Sequence, residues 1–445
     1  VQADFKGKKV TVVGLARSGV AAARALDALG AIVTVTDRKP PGQLTAQIKA
    51  LGGGRVIIEA GGHPDRVFSG AELIVLSPGV PKIPQILAAR KRGVRVISEL
   101  ELAWLLSDSP YVGITGTNGK STVTTLVGLM LERAGRKVLV AGNIGNALTE
   151  DISLLGKQDW IVAELSSFQL EDIESFRPRV AAVLNVTQDH LDRYRDIGEY
   201  GEAKARVFMN QRKEDYLVLN FDDPLVKSFA KRTSATVVPF SSRLRFNPGA
   251  CVLDGYLTFN NKRIMHAGEI GIKGVHNLEN ALAAAALSLS AAADIGSVAA
   301  VLREFPGLEH RLEFVREKDG VAYINDSKGT NVGAVVKSVE GFTQPVILIA
   351  GGLDKGSDFS PLYDLFRRKV KLLVLIGKAA DKMAKTLGAS TETVLAGTLQ
   401  DAVKLAGARA SRGDVVLLSP ACASFDMFRD FEDRGRQFKE AVRSL

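Results

Sequence analysis

Tyr111-Val112-Gly113-Ile114-Thr115-Gly116-Thr117-Asn118-Gly119-Lys120-Ser121-Thr122 is the stretch on which the reading of this chain turns. Tyr111–Thr115 reads as a short buried strand, and Lys120–Ala134 as a helix stopped by Gly135. Between them lies a glycine-rich loop. Backbone N–H groups of such a loop, at a helix N-terminus, cradle phosphates; a lysine there reaches the terminal phosphates and a hydroxyl can hold Mg²⁺. Strict phosphate-loop spacing asks for glycine at 114, where Ile114 stands, so the loop is a variant. A chance glycine-rich turn is the bland alternative, and the strand–loop–helix context favours phosphate binding over it.

On both sides the chain alternates short apolar runs with helical patterns, the signature of βαβ units. Towards the N-terminus, Lys8–Val13 reads as a strand, Gly14–Gly19 as a turn, Val20–Leu29 as a helix and Ile32–Thr36 as a second strand. Strands at Leu73–Leu76 and Val94–Ile97 follow, then a helix at Glu99–Leu106 and a break at Ser107–Pro110. Beyond the loop, strands are expected at Val138–Ala141, Trp160–Ala163 and Val180–Leu184. The pattern turns β-rich from Tyr216 to Ile272, where Cys251–Leu253 and Tyr256–Phe259 flank Asp254-Gly255, a two-residue hairpin signal. An alanine-rich helix at Asn277–Ala293 closes this part. A last α/β stretch carries strands at Val321–Ile324, Val346–Ile349, Leu372–Ile376 and Val415–Leu418. For 445 residues, at about 150 per domain, three α/β domains are expected, at 1–98, 99–307 and 308–445.

Composition narrows the function classes. At 46% hydrophobic and 24% charged residues, general disorder is excluded. The longest nearly apolar run, Ala281–Ala293, is too short to span a bilayer. Two cysteines, Cys251 and Cys422, exclude a disulfide scaffold and a cysteine zinc site. No secretory leader is visible, and a cytoplasmic protein is expected. The net charge of +9 comes without a Lys/Arg block, so nucleic acid is not expected as a partner and anionic small molecules are.

Candidate residues cluster where expected strands end. Glu164 closes Trp160–Ala163, and a carboxylate at the carboxyl end of a parallel strand beside phosphates suits Mg²⁺; a helix cap or a solvated acid is the bland reading. His190 follows a strand in the same way, although a lone histidine is more often structural. Lys204 lies in an amphipathic stretch and reads by composition as a solvated helix face. Gly14-Leu15-Ala16-Arg17-Ser18-Gly19 has the look of a dinucleotide loop with Asp37 ending the next strand, yet Ala16 replaces the middle glycine that admits a pyrophosphate. Arg17 and Ser18 suit an anionic or ribosyl ligand instead, and an ordinary tight turn remains the alternative. In the last domain, polar glycine-rich loops at 326–331, 351–356 and 419–424 suggest one binding face. Cys422 reads as a small buried residue.

Four segments, TGTNGKST (Thr115–Thr122), ELSSFQL (Glu164–Leu170), NVTQDHLDRY (Asn185–Tyr194) and HNLEN (His276–Asn280), together resemble the Mur ligase family, ATP-dependent amide-forming ligases of peptidoglycan synthesis. LEHR (Leu308–Arg311), DSKGTN (Asp326–Asn331), GGLDKG (Gly351–Gly356) and SPACASFDMF (Ser419–Phe428) are similar to the branch that adds D-glutamate. The Asp-Asn-Pro-Arg segment of the diaminopimelate-adding relatives is absent. Folylpolyglutamate synthetases share the central loop but lack the first domain.

The resemblance implies a Rossmann-like N-terminal domain for a UDP substrate, a central P-loop-type ATPase domain with a small β-rich part, and a Rossmann-like C-terminal domain for the amino acid. It implies a cytoplasmic, monomeric ligase of cell-wall synthesis that uses ATP and two Mg²⁺ ions to join D-glutamate to UDP-N-acetylmuramoyl-L-alanine through an acyl phosphate. By resemblance, Gly116, Thr117, Asn118, Gly119, Lys120, Ser121, Thr122, Asn277, Asn280, Arg311 and Asp326 match the ATP site. Ser121, Glu164, His190 and Lys204 match the metal sites, Lys204 as a carbamylated lysine. Arg17, Ser18, Asp37, Arg38, Gly79 and Asn143 match the UDP-substrate site, and Thr330, Lys355, Ser424 and Phe431 the D-glutamate pocket. Lys120, His190, Lys204, Asn143 and Arg311 form the expected catalytic set. Two other classes stand beside this one: a nicotinamide-dependent oxidoreductase, disfavoured by Ala16, and a P-loop module acting on nucleic acid, disfavoured by the lack of a basic stripe.

Overall fold

The computed structural model describes residues 4–52, 54–189, 193–354 and 356–445. Three sheets organise it. The first contains β1 (Lys9–Val13), β2 (Ile32–Asp37), β3 (Ile57–Ala60), β4 (Leu73–Leu76) and β5 (Arg95–Ser98), in the order β3-β2-β1-β4-β5 with parallel pairing throughout. The second contains β6 (Tyr111–Thr115), β7 (Val138–Gly142), β8 (Trp160–Glu164), β9 (Val180–Val183), β10 (Tyr216–Asn220), β11 (Thr236–Ser241), β12 (Ala250–Leu253), β13 (Tyr256–Phe259) and β14 (Lys262–His266). Its order is β14-β13-β12-β11-β10-β9-β6-β8-β7, parallel except for the terminal β12-β13-β14 meander. The third contains β15 (Glu313–Lys318), β16 (Val321–Asn325), β17 (Val346–Gly351), β18 (Val370–Ile376), β19 (Glu392–Leu395) and β20 (Val415–Leu418), ordered β15-β16-β20-β17-β18-β19. The first two sheets share one compact unit, and the third forms the core of another.

Parallel sheets are covered on both faces, so their inner strands are apolar runs without alternation. All five residues of β6 are buried, as are all four of β4, β9 and β20. The β-rich stretch is not a separate sheet: β10 to β14 extend the central one, because β10 pairs in parallel with β9. Its hairpin turns at Asp254 and Gly255 with φ of 51° and 81°, the left-handed pair that a two-residue turn demands.

The expected helices form with shifted ends. The first begins at Arg17, not Val20, and the alanine-rich helix runs Val275–Ser290. Within the latter Ala281–Ser288 is buried at every position, which small side chains permit by letting backbones approach closely. Among the described residues no helix is long and apolar enough to cross a membrane.

The first two sheets are joined within their unit by the helix Glu99–Leu106. Ser98 caps it, and the Ser98 N–H donates to the Asp172 carbonyl at 2.8 Å. Glu101 is fully buried and accepts hydrogen bonds from the N–H groups of Glu174, Ser175 and Phe176 at 2.8–2.9 Å, and from the Ser175 hydroxyl. Trp104, Tyr111 and Phe176 pack edge to face beside it. Four donors satisfy the carboxyl oxygens, which offsets the cost of burying a polar group in this apolar place.

Candidate active site

Four adjacent parallel strands of the central sheet, β9, β6, β8 and β7, end on one edge. The glycine-rich loop leaves β6 there. Gly116 has φ of 153° and Gly119 of 86°, and a Cβ at Gly119 would lie 2.3 Å from the Asn280 Oδ1. Only glycine admits both the backbone and the neighbour. Asn185, just beyond β9, staples the loop: its carbonyl accepts from the Thr117 N–H at 2.9 Å, its Oδ1 accepts from the Asn118 N–H at 2.8 Å, and its Nδ2 donates to the Asn118 carbonyl at 3.0 Å. Lys120 Nζ donates to the carbonyls of Gly116 and Thr117, both at 2.9 Å. Ser121 and Thr122 are buried in the first turn of the helix, and Asn280 Nδ2 donates to Asn277 Oδ1 at 3.2 Å.

Lys204 does not occupy a solvated face. It is 1% exposed, its Nζ lies 4.2 Å from the centroid of the Tyr200 ring, and it donates to the Gly116 carbonyl at 2.9 Å. The composition of its own helix misleads because the face carrying it packs inward. Two ammonium groups thus meet on one backbone oxygen of the glycine-rich loop.

Glu164 closes β8 and is 2% exposed. It is no helix cap, since Ser166 caps the following turn in a reciprocal bond pair with Gln169. Asn143 Nδ2 donates to Glu164 Oε1 at 2.7 Å, and the Asn143 N–H donates to the Glu164 carbonyl at 2.9 Å. Gly142, with φ of 110°, permits that approach, because a Cβ there would sit 2.5 Å from the Glu164 carbonyl oxygen. Hard carboxylate and hydroxyl oxygens from Glu164 and Ser121 suit Mg²⁺.

On the first sheet, β2, β1 and β4 are neighbours, and their carboxyl ends carry Asp37, the 14–19 loop and Ser77-Pro78-Gly79. The loop is tight: a Cβ at Gly19 would sit 1.8 Å from the Gly14 carbonyl, which accepts from the Ser77 hydroxyl at 2.8 Å. Asp37 shapes the loop, accepting from the Leu15 N–H at 2.7 Å and the Lys39 N–H at 2.8 Å. Arg17 and Arg38 are exposed, Ser18 is half-buried, and Gly79 has φ of 83°.

In the third sheet the loops 326–331, 419–424 and 351–356 follow β16, β20 and β17, again three adjacent parallel strands. Asp326 Oδ2 accepts from the hydroxyls of Ser338 and Ser419, both at 2.7 Å. Burial pushes its carboxyl up to about 6, against the hydroxyl bonds and the charge of Arg311. Arg311 is half-buried and follows His310, whose φ is 64°. Thr330 is half-buried and Ser424 buried. Phe431 opens the last helix, with the Lys328 Nζ 3.7 Å from its ring centroid. Asp354 shapes its turn, accepting from the Ser357 N–H and pairing with Lys382 at 2.7 Å. Burial pushes the Cys422 thiol up to about 12, which makes it a poor nucleophile. His190 and Lys355 lie outside the described residues.

Sequence reasoning missed two residues that build these edges. Asn185 stands inside a quoted motif, and an amide after an apolar strand is a usable signal for a loop staple. Arg434 is wholly buried beneath the third-sheet loops. It lies four and eight residues before Phe438 and Val442, on the inward stripe of its helix.

Three family models match the chain: "Mur ligase MurD-like, N-terminal domain" at residues 8–98, "Mur ligase middle domain" at 114–288 and "Mur ligase, glutamate ligase domain" at 310–422. The UDP-N-acetylmuramoylalanine–D-glutamate ligase of Geotalea uraniireducens is 49% identical, the match covering 99% of this chain and 98% of the relative. The ligase of the same name from Caldanaerobacter subterraneus is 45% identical, with 99% of both chains covered. Among solved structures, the UDP-N-acetylmuramate–alanine ligase of Thermotoga maritima superposes with a TM-score of 0.63 over 98% of this chain and 99% of that one, at 20% identity, a likeness of fold.

Proposed function

This chain belongs to the Mur ligase family, and we propose that it joins D-glutamate to UDP-N-acetylmuramoyl-L-alanine at the expense of ATP, forming ADP, phosphate and a new amide in peptidoglycan precursor synthesis. One observation carries the chemistry: a phosphate loop at the head of a parallel sheet with two lysine ammonium groups converging on its Gly116 carbonyl. The near-full-length relatives that carry this activity in their names support the choice of substrates.

A carboxylate is a poor electrophile. Transfer of the ATP γ-phosphoryl group to the alanyl carboxylate gives an acyl phosphate, whose phosphate can then leave. The amine of D-glutamate attacks the carbonyl carbon, a C–N bond forms, the C–O bond to phosphate breaks, and the amine loses its proton. Lys120 and the loop N–H groups hold the phosphates in line, where fixed donors act without reorganising. Glu164, steadied by Asn143, and Ser121 would hold one Mg²⁺; His190 and a carbamate on Lys204 would hold a second. When bound, the ions neutralise the phosphate charge that develops during transfer. Asn277, Asn280, Arg311 and Asp326 complete the ATP site in this reading.

The same reading divides the chain into a UDP-substrate domain at 1–98, an ATP domain at 99–307 and an amino-acid domain at 308–445. Arg17, Ser18, Asp37, Arg38, Gly79 and Asn143 take the nucleotide sugar, and Thr330, Lys355, Ser424 and Phe431 the amino acid. The reaction belongs in the cytoplasm, where ATP and nucleotide sugars are made. An isotope experiment tests the chemistry. With ¹⁸O in the alanyl carboxylate, one labelled oxygen passes into the released phosphate; unlabelled phosphate alongside amide formation contradicts the acyl-phosphate route.

A further inference from the structure

Arg434 is the largest fully buried side chain among the described residues, with no exposed surface. Taking a guanidinium from water is costly unless its N–H groups find partners. Nε donates to the Ser327 hydroxyl at 3.0 Å and Nη2 to the Ser327 carbonyl at 2.8 Å. Nη1 donates to the carbonyls of Cys422 and Ala423 at 3.2 and 3.4 Å. Gly352 lies against the same fork, where a Cβ would come within 3.3 Å of Nη1. One planar group therefore touches the loops that follow β16, β20 and β17.

Each contact adjoins a residue of the proposed amino-acid pocket. Ser327 begins the turn that leads to Thr330, and its hydroxyl donates to the Phe431 carbonyl at 2.8 Å. Ala423 precedes Ser424. Every hydrogen-bond partner of the guanidinium is a neutral oxygen of these loops, while the nearby carboxylates of Asp426 and Asp326 favour its charged form. Burial lowers the guanidinium to about 10, so it stays charged at neutral pH.

We propose that Arg434 is a positioning residue for the amino-acid pocket: by tying together the loops that follow β16, β20 and β17 it sets the spacing of Thr330, Ser424 and Phe431. This rests on the ligase reading above. Lysine, a point charge on a flexible stem, cannot bridge three loops in a fixed plane.

The test uses the full-length enzyme with Arg434→Met, Arg434→Lys and Ser327→Ala, each followed by steady-state kinetics in all three substrates. Arg434→Met raises the KM for D-glutamate roughly tenfold or more, the scale of a lost charge-assisted bond, and leaves the KM for the UDP substrate unchanged. Arg434→Lys falls between the two, and Ser327→Ala shows a smaller rise in the same KM. If Arg434→Met does not fold, the Ser327→Ala and Arg434→Lys results decide. An unchanged D-glutamate KM across the folded variants, or a fall in kcat with every KM intact, overturns the positioning role while the ligase reading stands. A wild-type enzyme that does not turn over D-glutamate overturns the ligase reading and this role with it.

Discussion

Lys120 and Lys204 both donate from Nζ to the carbonyl oxygen of Gly116, each at 2.9 Å. One comes from the helix that follows the phosphate loop, the other from the helix Ile197–Ala205. Two ammonium groups that share one carbonyl repel each other, by about a few kcal/mol at an effective dielectric of about 20. In the proposed ligase reading, bound phosphate would relieve that repulsion, and conversion of Lys204 to a carbamate would relieve it too, by turning two like charges into an ion pair.

Replacement of Lys120 by alanine removes the cation that the proposed mechanism places on the transferred group. Phosphate release with saturating substrates is expected to fall by about 10²-fold or more, the scale of a lost transition-state donor. The far-ultraviolet spectrum is expected to stay unchanged, because Lys120 is only half-buried and bonds loop carbonyls. A variant within twofold of wild type contradicts the role.

For Lys204, Lys204→Met keeps an apolar stem against Tyr200 and cannot form a carbamate. Wild type incubated with ¹³C-bicarbonate should show a carbamate carbon resonance that this variant lacks, and the variant should lose activity by about 10²-fold. The same resonance in both proteins would assign the carbamate elsewhere.

Asp326 gives a pH dependence of stability. Its carboxyl titrates near 6 when folded, against an ordinary value of 3.8. The folded state holds the proton more tightly, so this group's stabilising contribution is fully present below about pH 4 and is lost as pH rises through about 6. Asp326→Asn cannot ionise and keeps an oxygen for Ser338 and Ser419. Between pH 4 and 7 it should therefore gain on wild type by up to about 3 kcal/mol in urea unfolding. A difference that stays constant across that range contradicts the shift.

Glu101 accepts from three backbone N–H groups and one hydroxyl in a fully buried place. Glu101→Ala leaves those donors without partners and should cost about 3 kcal/mol or more. A melting temperature within a degree of wild type would show that water replaces the carboxylate without loss.

The strands buried along their whole length were plain in the sequence: β4, β6 and β20 end where the apolar runs end. The strands that escaped notice were β3, β15 and β19, each at a sheet edge. An edge strand faces water along one side, so Ile57-Ile58-Glu59-Ala60 and Glu313-Phe314-Val315-Arg316-Glu317-Lys318 carry charges that break the pattern. The phosphate loop and Glu164 could be found locally because strand, loop and helix are contiguous there. Lys204 and Arg434 could not, since what makes them notable is burial beside residues distant in sequence. For Lys204 the family resemblance supplied what local pattern lacked. For Arg434 only the inward stripe of its helix hinted at its place.

The central claim, an ATP-dependent ligase that takes D-glutamate, is tested most directly by phosphate release with ATP, Mg²⁺ and UDP-N-acetylmuramoyl-L-alanine across a panel of D- and L-amino acids. The account predicts release with D-glutamate alone, together with a product heavier than the UDP substrate by one glutamyl residue. Release with a different amino acid, or none from folded protein that binds ATP, would contradict it.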